Sequence, residues 1–285
     1  MRPVHVMLAV LVAALWGFNF VVIRIGIDNF PPLLFSAFRF SLAAFPLVFF
    51  IRKPDVPWRI IIAIGPVLGV TKFSLLFVGM DLGLSAGLAS LVLQSQAFFT
   101  ALLMAVIFKE MPRPVQLLGI AVAFAGIGLI ATTVDQAITP IGLTMVVAAG
   151  FAWAISNLLM KQAGKADMLA LIVWVSLIPP VPLFIMSMMI EGTDAAYEAV
   201  VTITWSGVGA IIYIAFASTI VGFAIWGKLI RFYGAGRVAP FSLLVPIFGM
   251  GSSAIVLGEE FGLIRLLAAV MVVTGLVLTV AVKPK

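Results

Sequence analysis

The stretch AGLASLVLQSQAFFTALLMAVIFKE, residues 86–110, decides the fold class. It runs from Ala86 to Phe108 without a charged residue. An α-helix needs about 20 apolar residues to cross the hydrocarbon core of a bilayer. The stretch lacks the apolar–polar alternation of a barrel strand and is about twice as long as one. It therefore predicts a transmembrane helix that ends near Lys109.

The rest of the chain has the same character. Hydrophobic residues make up 64 % of its 285 positions and charged residues only 10 %, whereas soluble domains carry roughly 25 % charged residues. Because backbone polar groups in lipid must be satisfied internally, we expect an all-α membrane protein. Spacing of charges, prolines and glycines predicts ten spans near residues 4–27, 32–51, 58–80, 84–107, 114–133, 141–161, 168–190, 205–229, 237–257 and 262–282.

The charged residues predict the orientation of these spans. An N-terminus in the cytoplasm places most basic residues in cytoplasmic loops, as the positive-inside rule requires. This explains the net charge of +6 without a nucleic-acid partner. The cytoplasmic set is Arg2, Arg52, Lys53, Arg59, Lys109, Arg113, Lys161, Lys165, Lys228, Arg231, Arg237, Lys283 and Lys285. The opposite side carries mainly acids: Asp28, Asp81, Asp135, Glu191, Asp194, Glu198, Glu259 and Glu260.

The second half of the chain echoes the first. Trp16 is followed eight residues later by Arg24, and Trp153 eight residues later by Lys161. The stretch quoted above is similar to AGRVAPFSLLVPIFGM, which is followed by LGEE. The match predicts two repeats, residues 1–135 and 136–285. Since each has five spans, an odd number, the copies lie inverted in the membrane, a common design of secondary transporters.

Five stretches make the chain resemble a known family over nearly its whole length. They are LWGFNFVVIRIG, PPLLFSAFRFSLAAFP, AGLASLVLQSQAFFTALL, ASTIVGFAIWG and RVAPFSLLVPIFGM followed by LGEE. They resemble the EamA branch of the drug/metabolite transporter superfamily, close to bacterial cysteine, O-acetylserine and aromatic amino-acid exporters. The resemblance implies ten helices around a central cavity, both termini in the cytoplasm, and export of amino acids or related metabolites across a bacterial inner membrane.

Polar side chains within spans are costly in lipid and are candidates for contacting a substrate. An amino acid needs amides and hydroxyls for its ends and aromatic faces for its body. The alternative is that these groups join packed helices, a role we assign to the glycine pairs Gly65/Gly69 and Gly83/Gly87. The cavity candidates are Trp16, Asn19, Lys72, Gln94, Gln96, Trp153, Asn157, Ser218, Trp226 and Ser242.

Charged residues near or within the spans leave alternatives open. Lys72 either attracts a substrate carboxylate or pairs with Asp81 or reaches the outer interface. Arg39 either contacts substrate or pairs within the protein, and Asp28 is a possible partner for Arg24 or Arg39. No acid occupies the middle of a span. If export is proton-coupled, the proton carrier is therefore an end-of-helix acid such as Asp81 or Glu259.

Absent motifs narrow the function. The chain has no cysteine and no phosphate-binding loop, so thiolate metal sites and direct ATP use are not encoded. We expect no metal, no cofactor and no enzymatic activity, and a single chain suffices to form the cavity. The alternatives are transport of another cargo of the superfamily, such as a nucleotide sugar, a purine or a drug, a membrane enzyme, or a structural helix bundle.

Overall fold

The computed structural model describes residues 1–133, 138–164 and 166–280. Within these residues the chain is helical, and its only strand-like pairing is one antiparallel bridge between Leu84 and Ile138. The predicted repeat boundary at residues 135 and 136, and the charged residues Asp135, Lys165, Lys283 and Lys285, lie outside the described residues. The helices are α1 Pro3–Ile27, α2 Pro32–Ala44, α3 Trp58–Asp81, α4 Ala86–Phe108, α5 Pro114–Ala131, α6 Pro140–Gln162, α7 Met168–Glu191, α8 Thr193–Val201, α9 Trp205–Tyr233, α10 Gly236–Leu257 and α11 Leu263–Val280.

These helices confirm a multi-pass membrane protein. In the described part of the chain, nine helical segments are long and apolar enough to cross a membrane, and α11 is a shorter apolar helix. Two details were not predicted. The second span loses α-helical form after Ala44 and continues only as a 3₁₀ turn, Leu47–Phe49, because Pro46 has no N–H to donate to a helix. The connection between the spans predicted near residues 168–190 and 205–229 contains α8.

The helix starts follow local rules. Proline stands in the first turn of α1, α2, α5 and α6, where its missing N–H costs nothing and its fixed φ suits the helix. Side chains cap other starts: Thr139 accepts from the Gly142 N–H at 3.1 Å and Thr204 from the Gly207 N–H at 3.0 Å. Such caps satisfy backbone donors that the helix itself leaves without a partner.

Several helices are irregular near mid-span. π-helical turns occupy Gly65–Lys72 in α3 and Tyr213–Val221 in α9. In α10 a 3₁₀ turn, Ala239–Leu243, precedes the last helical segment, and α4 is interrupted between its segments Ala86–Val92 and Ser95–Phe108. Such irregular turns change which backbone carbonyls are bonded and are frequent at functional sites. They carry Lys72, Gln94, Ser218 and Ser242, four of the cavity candidates.

Glycines allow the closest helix contacts. A Cβ added at Gly17 of α1 would lie 2.5 Å from Phe248 Cβ of α10, and one added at Gly249 would overlap Ser90 of α4. We call this contact of α1, α4 and α10 the glycine seam. Gly65 and Gly69 lie in the same way against Ile178 and Pro179 of α7, as expected for packing positions.

Asp167 gives a test of the helix starts. Its carboxylate accepts from the Ala170 N–H at 3.0 Å and from Arg231 Nη2 at 2.7 Å. The Ala170 N–H, assisted by Arg231, holds the pKa of Asp167 below its usual value. A carboxylate with a lowered pKa stabilises the fold when ionised, and this stability is lost as the pH falls through the folded-state pKa.

We therefore expect Asp167→Ala to lower the free energy of unfolding at neutral pH by about 1 kcal/mol. The difference from wild type should shrink towards about pH 3. Thermal midpoints in detergent at the neutral and the acid pH measure this difference. Asp167→Asn keeps an acceptor oxygen without the charge, so at neutral pH its midpoint should lie between those of wild type and Asp167→Ala. Equal midpoints for all three proteins at neutral pH would contradict the assignment.

Candidate functional site

Arg39 lies inside the bundle and is only 4 % exposed. Its Nη2 donates to Thr219 Oγ1 of α9 at 3.2 Å, and its Cζ lies 3.7 Å from the centroid of the Phe73 ring. Its Nε and Nη1 have no hydrogen-bond partner among the described residues. The possibility that Asp28 pairs with Arg39 is not realised, because Asp28 forms its ion pair with Arg24.

Lys72 ends the π-helical turn of α3 and is also 4 % exposed. Its Nζ lies 3.4 Å from the centroid of the Phe73 ring and 4.5 Å from that of Trp153. Within the described part of the chain, Lys72 has no ion pair, and Asp81 is an exposed residue at the end of the helix. Neither structural alternative for Lys72, pairing with Asp81 or reaching the outer interface, is realised.

The two cations therefore contact one aromatic ring, and neither is paired with a carboxylate of the described residues. Since both distances end at the Phe73 centroid, the charge centres are at most about 7 Å apart. Two such charges repel by about 2 kcal/mol at an effective dielectric constant of about 20. The cation–π contact with an aromatic face stabilises a desolvated cation by about 2 kcal/mol. It does not replace a counter-charge, so this place in the protein favours an anion.

The remaining candidates form three separate contacts and one isolated group. Trp16 Nε1 donates to the Ser218 carbonyl at 2.9 Å, and its ring lies 5.0 Å from that of Trp226. This carbonyl belongs to the π-helical turn of α9, so an indole supplies a donor to an irregular segment. Asn19, which is close to Trp16 in the sequence, is buried, and its Oδ1 has no hydrogen-bond partner among the described residues.

Amides make the other two contacts. Asn157 Nδ2 donates to Gln96 Oε1 at 2.7 Å and to Thr100 Oγ1 at 3.1 Å. Gln94 Nε2 donates to the Ser242 carbonyl at 3.3 Å, which joins the interruption of α4 to the 3₁₀ turn of α10. The structure thus brings the predicted residues together in groups of two or three rather than in one ring.

Arg24, Asp28 and Glu259 line a pocket of about 360 Å³, whereas Asp81, the other end-of-helix candidate, is not part of its lining. Arg24 pairs with Asp28 and donates from Nη1 to the Met80 carbonyl at 3.2 Å. Glu259 accepts from the N–H groups of Ala86 and Gly87, at 2.7 and 3.0 Å, and so caps the start of α4. The pocket is lined by Arg24, Asp28, Met80, Gly83, Leu84, Ser85, Leu257 and Glu259.

Some functional contacts were not predicted. The Phe73 ring contacts both Arg39 and Lys72, but Phe73 is an apolar residue in an apolar span, so nothing in the sequence marked it. Glu191 accepts from the N–H groups of Leu33 and Leu34, at 2.6 and 3.2 Å, and so caps α2 from far along the chain. In the sequence, a glutamate at the end of a span is as typical of a charged loop residue as of a helix cap. A contact of this kind cannot be found from sequence spacing alone.

Thr219→Val tests the anchoring of Arg39. Valine is similar in size but cannot accept the Arg39 hydrogen bond, and hydrogen bonds to charged groups contribute about 1.5–3 kcal/mol. We expect a loss of about 2 kcal/mol in the free energy of unfolding, seen as a lower thermal midpoint in detergent. The control is Thr144→Val, because the Thr144 hydroxyl bonds only to Pro140 O of its own helix. Equal midpoints for the two variants would contradict the anchoring role.

Comparison with known proteins gives consistent results. The profile described as the EamA-like transporter family matches residues 4–132 and 140–281. Two relatives, from Escherichia coli K12 and Salmonella typhimurium LT2, each carry the name "Probable amino-acid metabolite efflux pump". Each is 40 % identical over 279 residues, covering 96 % of this chain and 93 % of the relative.

A solved crystal structure shares the fold. It has a TM-score of 0.66 and 13 % sequence identity, and the match covers 98 % of this chain and 96 % of the other. At this identity the likeness concerns the fold alone. The two profile matches and the near-complete coverage of close relatives agree on the family. The chain belongs to the EamA-like transporter family.

Proposed function

We propose that this chain is a secondary transporter that exports amino acids or related small metabolites across a bacterial inner membrane. Membership of a transporter family supports transport, and two relatives at 40 % identity are named as amino-acid metabolite efflux pumps. The chain works as a monomer, with both termini in the cytoplasm and without a cofactor.

One observation carries the proposal: the interior polar contacts join the first half of the chain to the second. Arg39 meets Thr219, Trp16 meets Ser218, and Gln96 meets Asn157. Lys72 and Trp153 do the same. In transporters with repeated halves, the substrate site lies at the interface between the halves.

The ends of α4 and α10 support an inverted repeat. The last segment of each is a 14-residue helix, Ser95–Phe108 and Leu244–Leu257. Each is followed by a left-handed residue, Lys109 with φ 57° and Gly258 with φ 67°. The next N–H, of Glu110 or Glu259, bonds to the carbonyl six residues earlier. Two matches to one family profile also support two copies of one unit.

The ten spans of the proposal are the nine long segments together with α11. Five spans in each half require opposite orientations, and the basic loop residues favour a cytoplasmic N-terminus. This orientation places Glu259 and the 360 Å³ pocket on the outer side. Export then follows alternating access, in which one half moves against the other around the central contacts.

Efflux from proteoliposomes tests the function. Vesicles preloaded with a panel of labelled amino acids should lose at least one of them faster when they contain the protein, because the interior holds charged, amide and aromatic groups at the interface between the halves. The control is protein-free vesicles of the same lipid. Equal efflux from both for every member of the panel, with folded protein present, would overturn export of amino acids.

Glu259→Gln tests whether the Glu259 cap on α4 holds the outer end of the protein closed. The glutamine removes the charge that caps the Ala86 and Gly87 N–H groups, and each charge-assisted hydrogen bond contributes about 1.5–3 kcal/mol. We expect the outer end to open about tenfold more often. Because the chain has no cysteine, Ser90→Cys, at a position 1 % exposed behind this cap, reports opening through labelling by a membrane-impermeant thiol reagent.

The matched control for this experiment is Glu260→Gln in the same Ser90→Cys background. Glu260 is the neighbouring acid and makes no contact with the start of α4 in the described residues. Faster labelling in the Glu259 variant alone supports the closure. The same labelling rate in both variants would contradict it.

A further inference from the structure

We propose that Arg39 and Lys72 form an anion-binding subsite that makes this protein select metabolites with a net negative charge, such as dicarboxylic amino acids, over neutral zwitterions. This inference rests on the proposed function and names the substrate class of the same site. Neither the family nor the names of the relatives assign a charge preference.

The first step is the state of the two cations. Each is 4 % exposed, and both lie over the Phe73 ring, with Arg39 Cζ at 3.7 Å and Lys72 Nζ at 3.4 Å. The three ion pairs between side chains of the described residues use Arg24, Lys161 and Arg231 instead. Buried cations are ordinarily paired with an anion, and here the described residues supply none.

The second step is the donors that remain. Arg39 uses Nη2 on Thr219, while its Nε and Nη1 are buried without a partner in the described part of the chain. The Lys72 ammonium lies over two aromatic rings, Phe73 and Trp153, and has no hydrogen-bond acceptor among the described residues. An oxyanion beside the Phe73 ring would accept charge-assisted hydrogen bonds, which are the stronger kind, from Arg39 Nε and Nη1, and the nearby Lys72 charge would attract it.

The third step is the absence of a partner for a substrate ammonium. All eleven acidic residues of the sequence lie at the ends of the predicted spans or between them. Asp28 is paired with Arg24, and Glu259 and Glu191 cap helices. The ammonium group of a zwitterion would therefore meet two cations and no carboxylate. A substrate with a second carboxylate brings two negative charges to the two cations, which offsets the repulsion of its ammonium group.

The location fits a transported group. Lys72 and Arg39 come from the first half of the chain, whereas Trp153 and Thr219 come from the second. An anion bound here would contact both halves, and its release would change the contact between them. A purely structural cation–π cluster does not need a free donor, yet Arg39 has two that find no partner among the described residues.

Glutamate and glutamine are the probes, because they have nearly the same shape and differ by one charge. We expect preloaded proteoliposomes to release glutamate about tenfold faster than glutamine, a difference of about 1.4 kcal/mol. Lys72→Gln should bring this ratio close to one by slowing glutamate, and Lys72→Arg should retain it. Arg39→Lys keeps a charge and should also retain a preference for glutamate.

The matched control is Lys161→Gln. Lys161 also contacts an aromatic ring, Phe108 at 4.3 Å, but it is paired with Glu110 at 2.7 Å and lies at a helix end. It should leave the glutamate-to-glutamine ratio unchanged. A second readout, stabilisation of the detergent-solubilised protein by glutamate but not glutamine, should be lost in Lys72→Gln and kept in Lys161→Gln.

The outcomes separate the two proposals. Equal release of glutamate and glutamine by wild type, or equal slowing of both in Lys72→Gln, overturns charge selection and leaves export intact. Stabilisation by glutamate without release of any amino acid overturns export and leaves the anion subsite intact. Neither release nor stabilisation by glutamate overturns both.

Discussion

Hydrocarbon offers no hydrogen bonds, so every polar group in these spans has to find a partner within the chain. Regular helices meet this requirement for most of the backbone. The irregular turns of α9 and α10 do not, and side chains from other helices bond to their carbonyls. Trp16 donates to the Ser218 carbonyl and Gln94 to the Ser242 carbonyl. These bonds connect distant parts of the sequence and determine which helices are neighbours.

The same requirement explains the two glutamate caps. Glu191 bonds to the first free N–H groups of α2, and Glu259 to those of α4. In both cases an acid at or just beyond the end of one helix satisfies the start of another. Arg39 and Lys72, the buried charged residues among those described, are exceptions, since they reach aromatic rings and a hydroxyl but no anion. An exception to so strict a requirement is where a ligand is expected.

The helical membrane class and the family were predictable from sequence because they depend on composition, span length and local stretches such as residues 86–110. The choice among roles for Lys72 was not, because it depends on which rings approach its ammonium group. Phe73 is an ordinary apolar residue in the sequence, and Trp153, although a cavity candidate, gave no sign of its contact with Lys72. α8 was also missed, since a nine-residue helix between spans has no hydropathy signal of its own.

The glycine seam has a consequence for how such proteins diverge. At Gly17 and Gly249 the neighbouring helix already occupies the place of a side chain, so any larger residue there must move a whole helix. We therefore expect lineages that acquire a new cargo to retain these positions and to change the residues around Lys72 instead. Mutational tolerance should fall steeply along the seam and rise towards the substrate, the reverse of an enzyme whose scaffold varies around a fixed active site.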